Sequence, residues 1–468
     1  MSKDEQGTVF VLYGATGDLA KRMVLPAFYE LFVRDLLPQP WKLIGNGRGD
    51  VSHEDFRARV HESLTEFATE PEPDDWEKFS ANVMFAGGGF KADDPGSLLD
   101  VIQEAQTDTG EDPQLIHYLA IPPKSFDETT RAIQNHELND GAKAVYEKPY
   151  GTSPESFEEL DALVHEDFDE QQVYRHDHFL GKEATQNLHM LRFANDVFAD
   201  TWNRDHITEV QIDVPETLDI ADRAEFYDAT GAALDMLVTH LFQVAAEVAM
   251  EPPASFDAQA LQDARESVIG AFRPLDPREV VLGQYASYLQ TEGIPKDSTQ
   301  DTFVAARLWI DTDRWQGVPF LLRTGKKMAT KAQRVSLIFK KPAGPLTGAQ
   351  VQPGVLSFDL SGTGAIELEM TVKKPGPDFA PAEANNRLAL SEVSEGSMQP
   401  YTALLHDVLA GDRSLFTSAQ GLRHAFATFK PLLGEERPEV QTYDDDSWGP
   451  ASANLLPGQH GWLLNTRA

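Results

Sequence analysis

"VFVLYGATGDLAKR", residues 9–22, reads as a strand that runs into a glycine turn and then into a helix. The run Val9–Tyr13 has the length and the β-branched and aromatic content of a buried strand. Gly14 and Gly17 let the backbone turn sharply and let a ligand approach it, and the helix that follows offers unpaired amides and the positive end of its dipole. That combination suits a pyrophosphate, so Gly14, Ala15, Thr16, Gly17, Asp18, Leu19 and Lys21 are the candidate cofactor-binding residues. The spacing is GxxGD rather than GxGxxG, and an ordinary turn would carry the same two glycines. Its place at the first strand–helix junction favours the nucleotide loop.

Outward from this loop, strand-like and helix-like stretches alternate as far as residue 149: "WKLIGNG", "HEDFRARVHESLTEF", "NVMFAGG", "SLLDVIQEAQ", "LIHYLAIPP", "FDETTRAIQNHEL", "KAVYEKP". Alternation of this kind predicts a parallel sheet wrapped by helices, an α/β Rossmann-type dinucleotide-binding domain over residues 1–176. Val24, Ala27, Phe28 and Leu31 line one face of the first helix, and Pro26 within it predicts a kink or a helix confined to one side. "ATEPEPDDW", 68–76, reads as a surface loop. Beyond residue 176 come long helices and then apolar runs, "ITEVQIDVPE", "TFVAARLWID", "PFLLRTGK", "RVSLIFKK", "VLSFDLS" and "AIELEMTV". They predict an α+β domain over 177–468 with a large, mainly antiparallel sheet.

The chain has 468 residues, 75 acids against 40 bases and a formal charge of -35, while its 41% apolar and 9% aromatic content is that of a folded protein. Such a charge argues against nucleic acid and anionic membranes as partners. Adaptation to high salt, where counterions screen self-repulsion, explains it as well. With no cysteine, disulfides and thiolate chemistry are excluded. The apolar run at the start is too short for a signal-peptide core, so the expected location is the cytoplasm.

The second strand ends "LIGNGRGD", 43–50. An Arg at this place accommodates the 2'-phosphate of NADP, so Arg48 favours NADP, whereas Asp50 would repel that phosphate and leaves NAD as a second choice.

"GATGDLAKR" (14–22), "YEKPYG" (146–151) and "RHDHFLGKE" (175–183), in this order, resemble the glucose-6-phosphate dehydrogenase family, whose usual forms read GxxGDLAKRK, EKPFG and RIDHYLGKE. The resemblance continues through "WNRDHI", "AALDMLVTHLFQ", "GVPFLLRTGKKMATK" and "PYTALLHDVLAGD" and covers nearly the whole chain. It implies oxidation of D-glucose 6-phosphate to 6-phospho-D-glucono-1,5-lactone with reduction of NADP, the first step of the oxidative pentose phosphate pathway, in a homodimer without metal. The chemistry needs a base, a hydride acceptor and cations for a dianion. By resemblance His240 is the base and Asp177 orients it. His178 and Lys182 grip the phosphate, Lys326 and Lys331 are further substrate-binding cations, Glu216 and Asp235 bind sugar hydroxyls, and Lys148 lies between sugar and cofactor. Phe179, Met23 and Thr239 depart from the usual Tyr, basic residue and Asn.

Without the resemblance, His240 in an apolar helix would be read as a core histidine, and Asp235, five residues earlier, would sit about 140° around an α-helix from it. A dehydrogenase acting on an unphosphorylated hexose would not need His178, Lys182 and Lys331, and a catalytically silent nucleotide sensor would not need Asp177 and His240. If the charge is an adaptation to salt, raising KCl from about 0.1 M to about 2 M should raise the melting temperature, since the screening length falls to roughly 3 Å at 1 M. A flat or falling melting temperature would count against that reading.

Overall fold

The first strand lies in the middle of a six-stranded sheet. In the computed structural model, which describes residues 6–467 except 111, 221–222, 344–350 and 394–395, β1 (Thr8–Tyr13), β2 (Trp41–Asn46), β3 (Val83–Ala86), β4 (Gln114–Leu119), β5 (Lys143–Tyr146) and β6 (Val173–Arg175) run parallel in the order β3-β2-β1-β4-β5-β6. Val9, Phe10, Val11 and Leu12 have no exposure, as expected of a parallel strand covered on both faces. The order reverses between β1 and β4, which makes the switch point of a Rossmann-type sheet.

Of the two expected effects of Pro26 the second is found: in a helical run that starts at Asp18 the α-helix proper, Leu25–Val33, lies to one side, with the proline in its first turn. The preceding turn, Ala20–Val24, is wound wider, with the Leu25 amide bonded to the Ala20 carbonyl five residues back. The expected loop over 68–76 is also partly helical. Pro73 begins the helix Pro73–Ser80, and Asp74 and Asp75 in its first turn complement the helix dipole.

Contacts divide the chain into two compact units. The first contains the described residues up to Gly181 together with Asp257–Gln262 and Met398–Ala419. The late helix Pro400–Ala410 joins it through specific bonds: Thr402 donates to Glu30 (2.6 Å), and Lys143 donates to the carbonyls of Val408 (2.6 Å) and Leu409 (3.0 Å). The sequence boundary after residue 176 could not show this, because the segment lies more than two hundred residues downstream.

In the second unit β7 (Ile207–Pro215), β8 (Val280–Tyr285), β9 (Phe303–Leu308), β10 (Phe320–Gly325), β11 (Arg334–Phe339), β12 (Val355–Asp359), β13 (Ala365–Lys373), β14 (Pro381–Ala389) and β15 (Val440–Tyr443) form one sheet, ordered β14-β13-β12-β11-β7-β10-β9-β8-β15. The β7/β10 and β8/β15 joins are parallel and the other six are antiparallel. The helical run Ala224–Ala249 is apolar and long enough to cross a membrane, but 94% of its most apolar stretch is buried inside the protein.

Within that run Glu247 is 1% exposed and bonds His189 and Arg265. Burial alone would raise the carboxyl's pKa; Arg265 and His189 hold it down at about 2. A carboxyl depressed below its unfolded value of about 4.3 stabilises the fold above that pH, and the contribution is lost as pH falls through its folded value. Glu247→Gln should therefore cost about 3–5 kcal/mol at neutral pH by leaving Arg265 unpaired, and the gap in melting temperature from the parent should narrow as the pH is lowered towards 2.

Candidate active site

The nucleotide loop leaves β1 at the carboxyl edge of the parallel sheet, beside the switch point where open α/β sheets bind ligands. Gly14 has φ +73°, and a Cβ there would lie 2.4 Å from the Ala120 carbonyl oxygen, so only glycine fits. The Gly17 amide donates to the Gly14 carbonyl (2.8 Å), and the Ala15 amide ties the turn to Asn46 of β2 (3.1 Å). Thr16, Gly17 and Asp18 stay exposed, and a Cβ at Gly17 would lie 3.1 Å from the Gly14 carbonyl oxygen. An exposed, glycine-built turn leading into the half-buried Leu19 at a helix start fits a pyrophosphate. Lys21 is turned elsewhere: its ammonium pairs with Glu66 (2.6 Å) over the ring of Phe67. Arg48 and Asp50 are both exposed on the loop after β2.

The ends of β5 and β6 carry the next group. Lys148 is half-buried just past β5. Asp177, just past β6, is 3% exposed and accepts the Phe179 amide at Oδ1 (2.9 Å). Burial raises the Asp177 pKa, and His178, the Phe179 amide, Lys148 and His176 work against the rise. His178 is half-buried with its ring edge-on to Phe179, 4.9 Å between centroids, and the Phe179 ring is 3% exposed.

In the second unit Glu216 and Lys326 lie past the ends of the parallel neighbours β7 and β10, whose register pairs Pro215 with Gly325. That register sets Lys326 Nζ 2.6 Å from Glu216 Oε2 and 5.4 Å from the centre of the Tyr227 ring. Lys182, 8% exposed, precedes the helix Glu183–Phe193 and donates to Gln333. Lys331 is exposed on the loop between β10 and β11 and is not drawn into the Glu216–Lys326 pair.

Asp235 and His240 are buried, at 3% and 0% exposure. The 140° separation does not arise, because Leu234–Leu241 is not wound as an α-helix. The Phe242 amide bonds to the Leu237 carbonyl five residues back, and in such a winding residues five apart stack on successive turns. Thr239 donates its hydroxyl to the Asp235 carbonyl, a side-chain bond of the kind that bends helices.

The description "Glucose-6-phosphate dehydrogenase, NAD binding domain" matches residues 11–187, and "Glucose-6-phosphate dehydrogenase, C-terminal domain" matches 189–463. The chain belongs to the glucose-6-phosphate dehydrogenase family. It is similar to glucose-6-phosphate 1-dehydrogenase 2 of Mycobacterium tuberculosis, 34% identical over 469 residues that cover 95% of this chain and 91% of the relative. It is also similar to the Arabidopsis thaliana protein named glucose-6-phosphate 1-dehydrogenase 6, cytoplasmic, at 33% identity, covering 97% and 91%. A solved glucose-6-phosphate dehydrogenase in complex with its substrate glucose-6-phosphate superposes with a TM-score of 0.90 at 29% identity, covering 98% of each chain. The family's reaction, oxidation of glucose 6-phosphate with reduction of NADP, is the reaction of this dehydrogenase.

Several residues around the dehydrogenase's site were not singled out in the sequence. Gln333 holds Lys182, and Tyr227 faces Lys326. His176 stands where the family's usual form has Ile, a difference visible once "RHDHFLGKE" is laid against RIDHYLGKE. Asp301, 2% exposed, starts the helix that carries Asp235 and His240. Gly231, at φ +70°, breaks the chain just before it, and Asp301 then accepts the Ala232 amide at its carbonyl (3.0 Å) and the Ala233 amide at Oδ1 (2.6 Å). Arg437 pairs with the other carboxylate oxygen (2.7 Å). Loss of this cap in Asp301→Ala should lower stability by about 1–2 kcal/mol, measured by denaturant unfolding, whereas Asp301→Asn should keep most of the cap and lose only the ion pair.

Proposed function

We propose that His240 is the base that takes the proton from the anomeric hydroxyl of glucose 6-phosphate as the hydrogen on C1 leaves with its electron pair, so that the C1–O bond becomes the lactone carbonyl. Bound NADP supplies the hydride acceptor. Asp177 orients the imidazole and stabilises the imidazolium. His178, Lys182, Lys326 and Lys331 hold the phosphate dianion, Glu216 and Asp235 the sugar hydroxyls, and Lys148 the space between sugar and cofactor. The observation that carries this reading is the wide turn, which stacks the buried Asp235 on the buried His240. The Glu216–Lys326 pair supports it by bringing a carboxylate and an ammonium to one strand edge.

On the cofactor side, the exposed turn Thr16–Asp18 cradles the pyrophosphate with Gly14, Ala15 and Leu19, and Arg48 meets the 2'-phosphate; Asp50 leaves NAD as a second choice. Functionally the chain divides into a cofactor part, 1–176, and a substrate part, 177–468. The enzyme works as a homodimer, because β13 and β14 expose Met370, Val372 and Leu388 on an edge of the large sheet, a surface suited to a second copy. It is cytoplasmic and adapted to high salt, in keeping with its charge of -35.

His240→Asn should lower kcat by about 10²–10⁴, the usual worth of a general base, with the dissociation constant for NADP nearly unchanged. Turnover within about twofold of the parent would remove His240 from the mechanism.

A further inference from the structure

Two glycine-rich loops meet at the cofactor edge of the parallel sheet, residues 47–50 after β2 and 87–89 after β3. The register of β2 on β3 pairs Asn46 with Ala86, and the pairing runs on past both strands. The Gly47 amide donates to the Ala86 carbonyl (3.3 Å), the Gly89 amide to the Gly47 carbonyl (3.0 Å) and the Gly88 amide to the Gly49 carbonyl (3.2 Å). At the start of this ribbon stands Asn46, 4% exposed. Its side-chain amide donates to the carbonyls of Ala86 (3.1 Å) and Gly89 (3.2 Å), so both of its hydrogens are used and its orientation is settled. Its backbone carbonyl accepts the Ala15 amide of the nucleotide turn (3.1 Å). One residue at the end of β2 thus ties together the turns that follow β1 and β3.

The loop 47–50 has little of its own to hold it. Glycines flank Arg48 on both sides, and Gly49 sits at φ +87°, so the loop alone would have wide conformational freedom. Among the described residues the exposed Arg48 guanidinium makes no hydrogen bond or ion pair. Its place comes instead from the run Gly87–Gly89. A Cβ at Gly87 would lie 2.5 Å from the Gly49 carbonyl oxygen and 3.5 Å from the Asp50 Cα, so the two loops touch backbone to backbone with no room for a side chain. On its other side, a Cβ at Gly47 would stand 3.6 Å from the Thr16 hydroxyl of the pyrophosphate turn. The loop is therefore fitted between that turn and the glycine run. It carries an arginine and, two residues on, an acid, the residue types that respectively receive a 2'-phosphate and a free ribose hydroxyl. Which of the two meets the cofactor depends on how the loop is set.

We propose that Asn46 is a positioning residue for cofactor choice: by clamping the loop after β2 onto the glycine run after β3, it sets Arg48, rather than Asp50, at the ribose end of the cofactor. The inference rests on the reading of Arg48 as the partner of the 2'-phosphate given above. A bond between ionised groups is strong when donor and acceptor are already in place; a cation on a free loop must first be ordered, and that cost offsets the gain. Removing the clamp leaves every charge unchanged and takes away the placement. NADP should then lose affinity, while NAD, which has no 2'-phosphate, should keep its affinity or gain some through Asp50.

The experiment measures the dissociation constants of NADP and NAD by calorimetry on the full chain, for the parent, Asn46→Ala and Gly87→Ala. The first variant removes both side-chain bonds, and the second drives a methyl group into the Gly49 carbonyl. The expected result in each is NADP weakened by about 5- to 30-fold, a part of the roughly 10- to 150-fold that a whole bond to a charged group is worth, with NAD within about twofold of the parent or tighter. The KM for glucose 6-phosphate should not change. Adenosine 2',5'-bisphosphate and adenosine 5'-monophosphate, which carry and lack the 2'-phosphate, should repeat the pattern. Equal weakening of NADP and NAD in Asn46→Ala marks a general loosening of the fold and overturns the proposal, as does an NADP constant that stays at the parent's value. Arg48→Ala separates the two claims: if it weakens both cofactors alike, the reading of Arg48 fails; if it weakens NADP alone while the Asn46 and Gly87 variants keep the parent's ratio of NADP to NAD affinity, the inference about Asn46 alone fails.

Discussion

Arg323 and Asp213 face each other across the parallel join of β10 and β7, in the middle of the nine-stranded sheet. The guanidinium has no exposure, reaches both carboxylate oxygens, donates also to Asn465 (2.8 Å), and lies over the rings of Trp462 at 4.3 Å and Trp448 at 5.2 Å. A two-point bond of this kind is geometrically selective, and a one-residue slip would turn the two side chains to opposite faces of the sheet and strand both charges. The register it fixes decides what happens three residues further on in each strand, where Glu216 and Lys326 emerge side by side. The substrate edge of the second unit is therefore set by an ion pair that itself touches no substrate.

The same economy runs through the rest of the molecule. With 40 cations for 75 acids, the chain keeps several arginines inside, each against a carboxylate: Arg175 with Asp161 and Glu170, Arg265 with Glu247, Arg323 with Asp213. Each buried arginine takes a carboxylate inside with it, so the excess of acids over bases is left to the exterior. Buried pairs are poor sources of net stability but severe penalties when broken, and they select one packing over its neighbours.

What could be read from the sequence was what repeats at short range. The glycine turn after Val9–Tyr13 and the apolar strands up to β13, except β6 and β8, announce themselves by local pattern, and the signature segments place the family. β14, "PAEANNRLA", was not legible because it is an exposed edge of mostly small and polar residues with hardly any alternation to find. The winding around His240 was invisible for a different reason: α and wider turns share their residue preferences, and the choice here is bound up with Gly231 and with a cap supplied by Asp301, seventy residues away in the chain. Lys21 shows the opposite limit, since its motif position says nothing of Glu66, which holds its ammonium. His176 was hidden in plain view inside a quoted motif, because its partners are Tyr118 of β4 and Glu147 just past β5.

The helix Pro400–Ala410 packs on the first unit through Glu30 and Lys143, so the parallel sheet that begins at Thr8 is not finished when its sixth strand is made. During synthesis the nucleotide unit must wait for a segment near the far end of the chain, while the whole strand set from β7 to β14 is produced in between. The order of completion is thus the reverse of the order of appearance: the first fold to be started is among the last to be closed. A gene fragment cut after the sixth strand would expose an apolar helix face that the full chain covers, and would be expected to depend on chaperones or to aggregate where the intact enzyme does not.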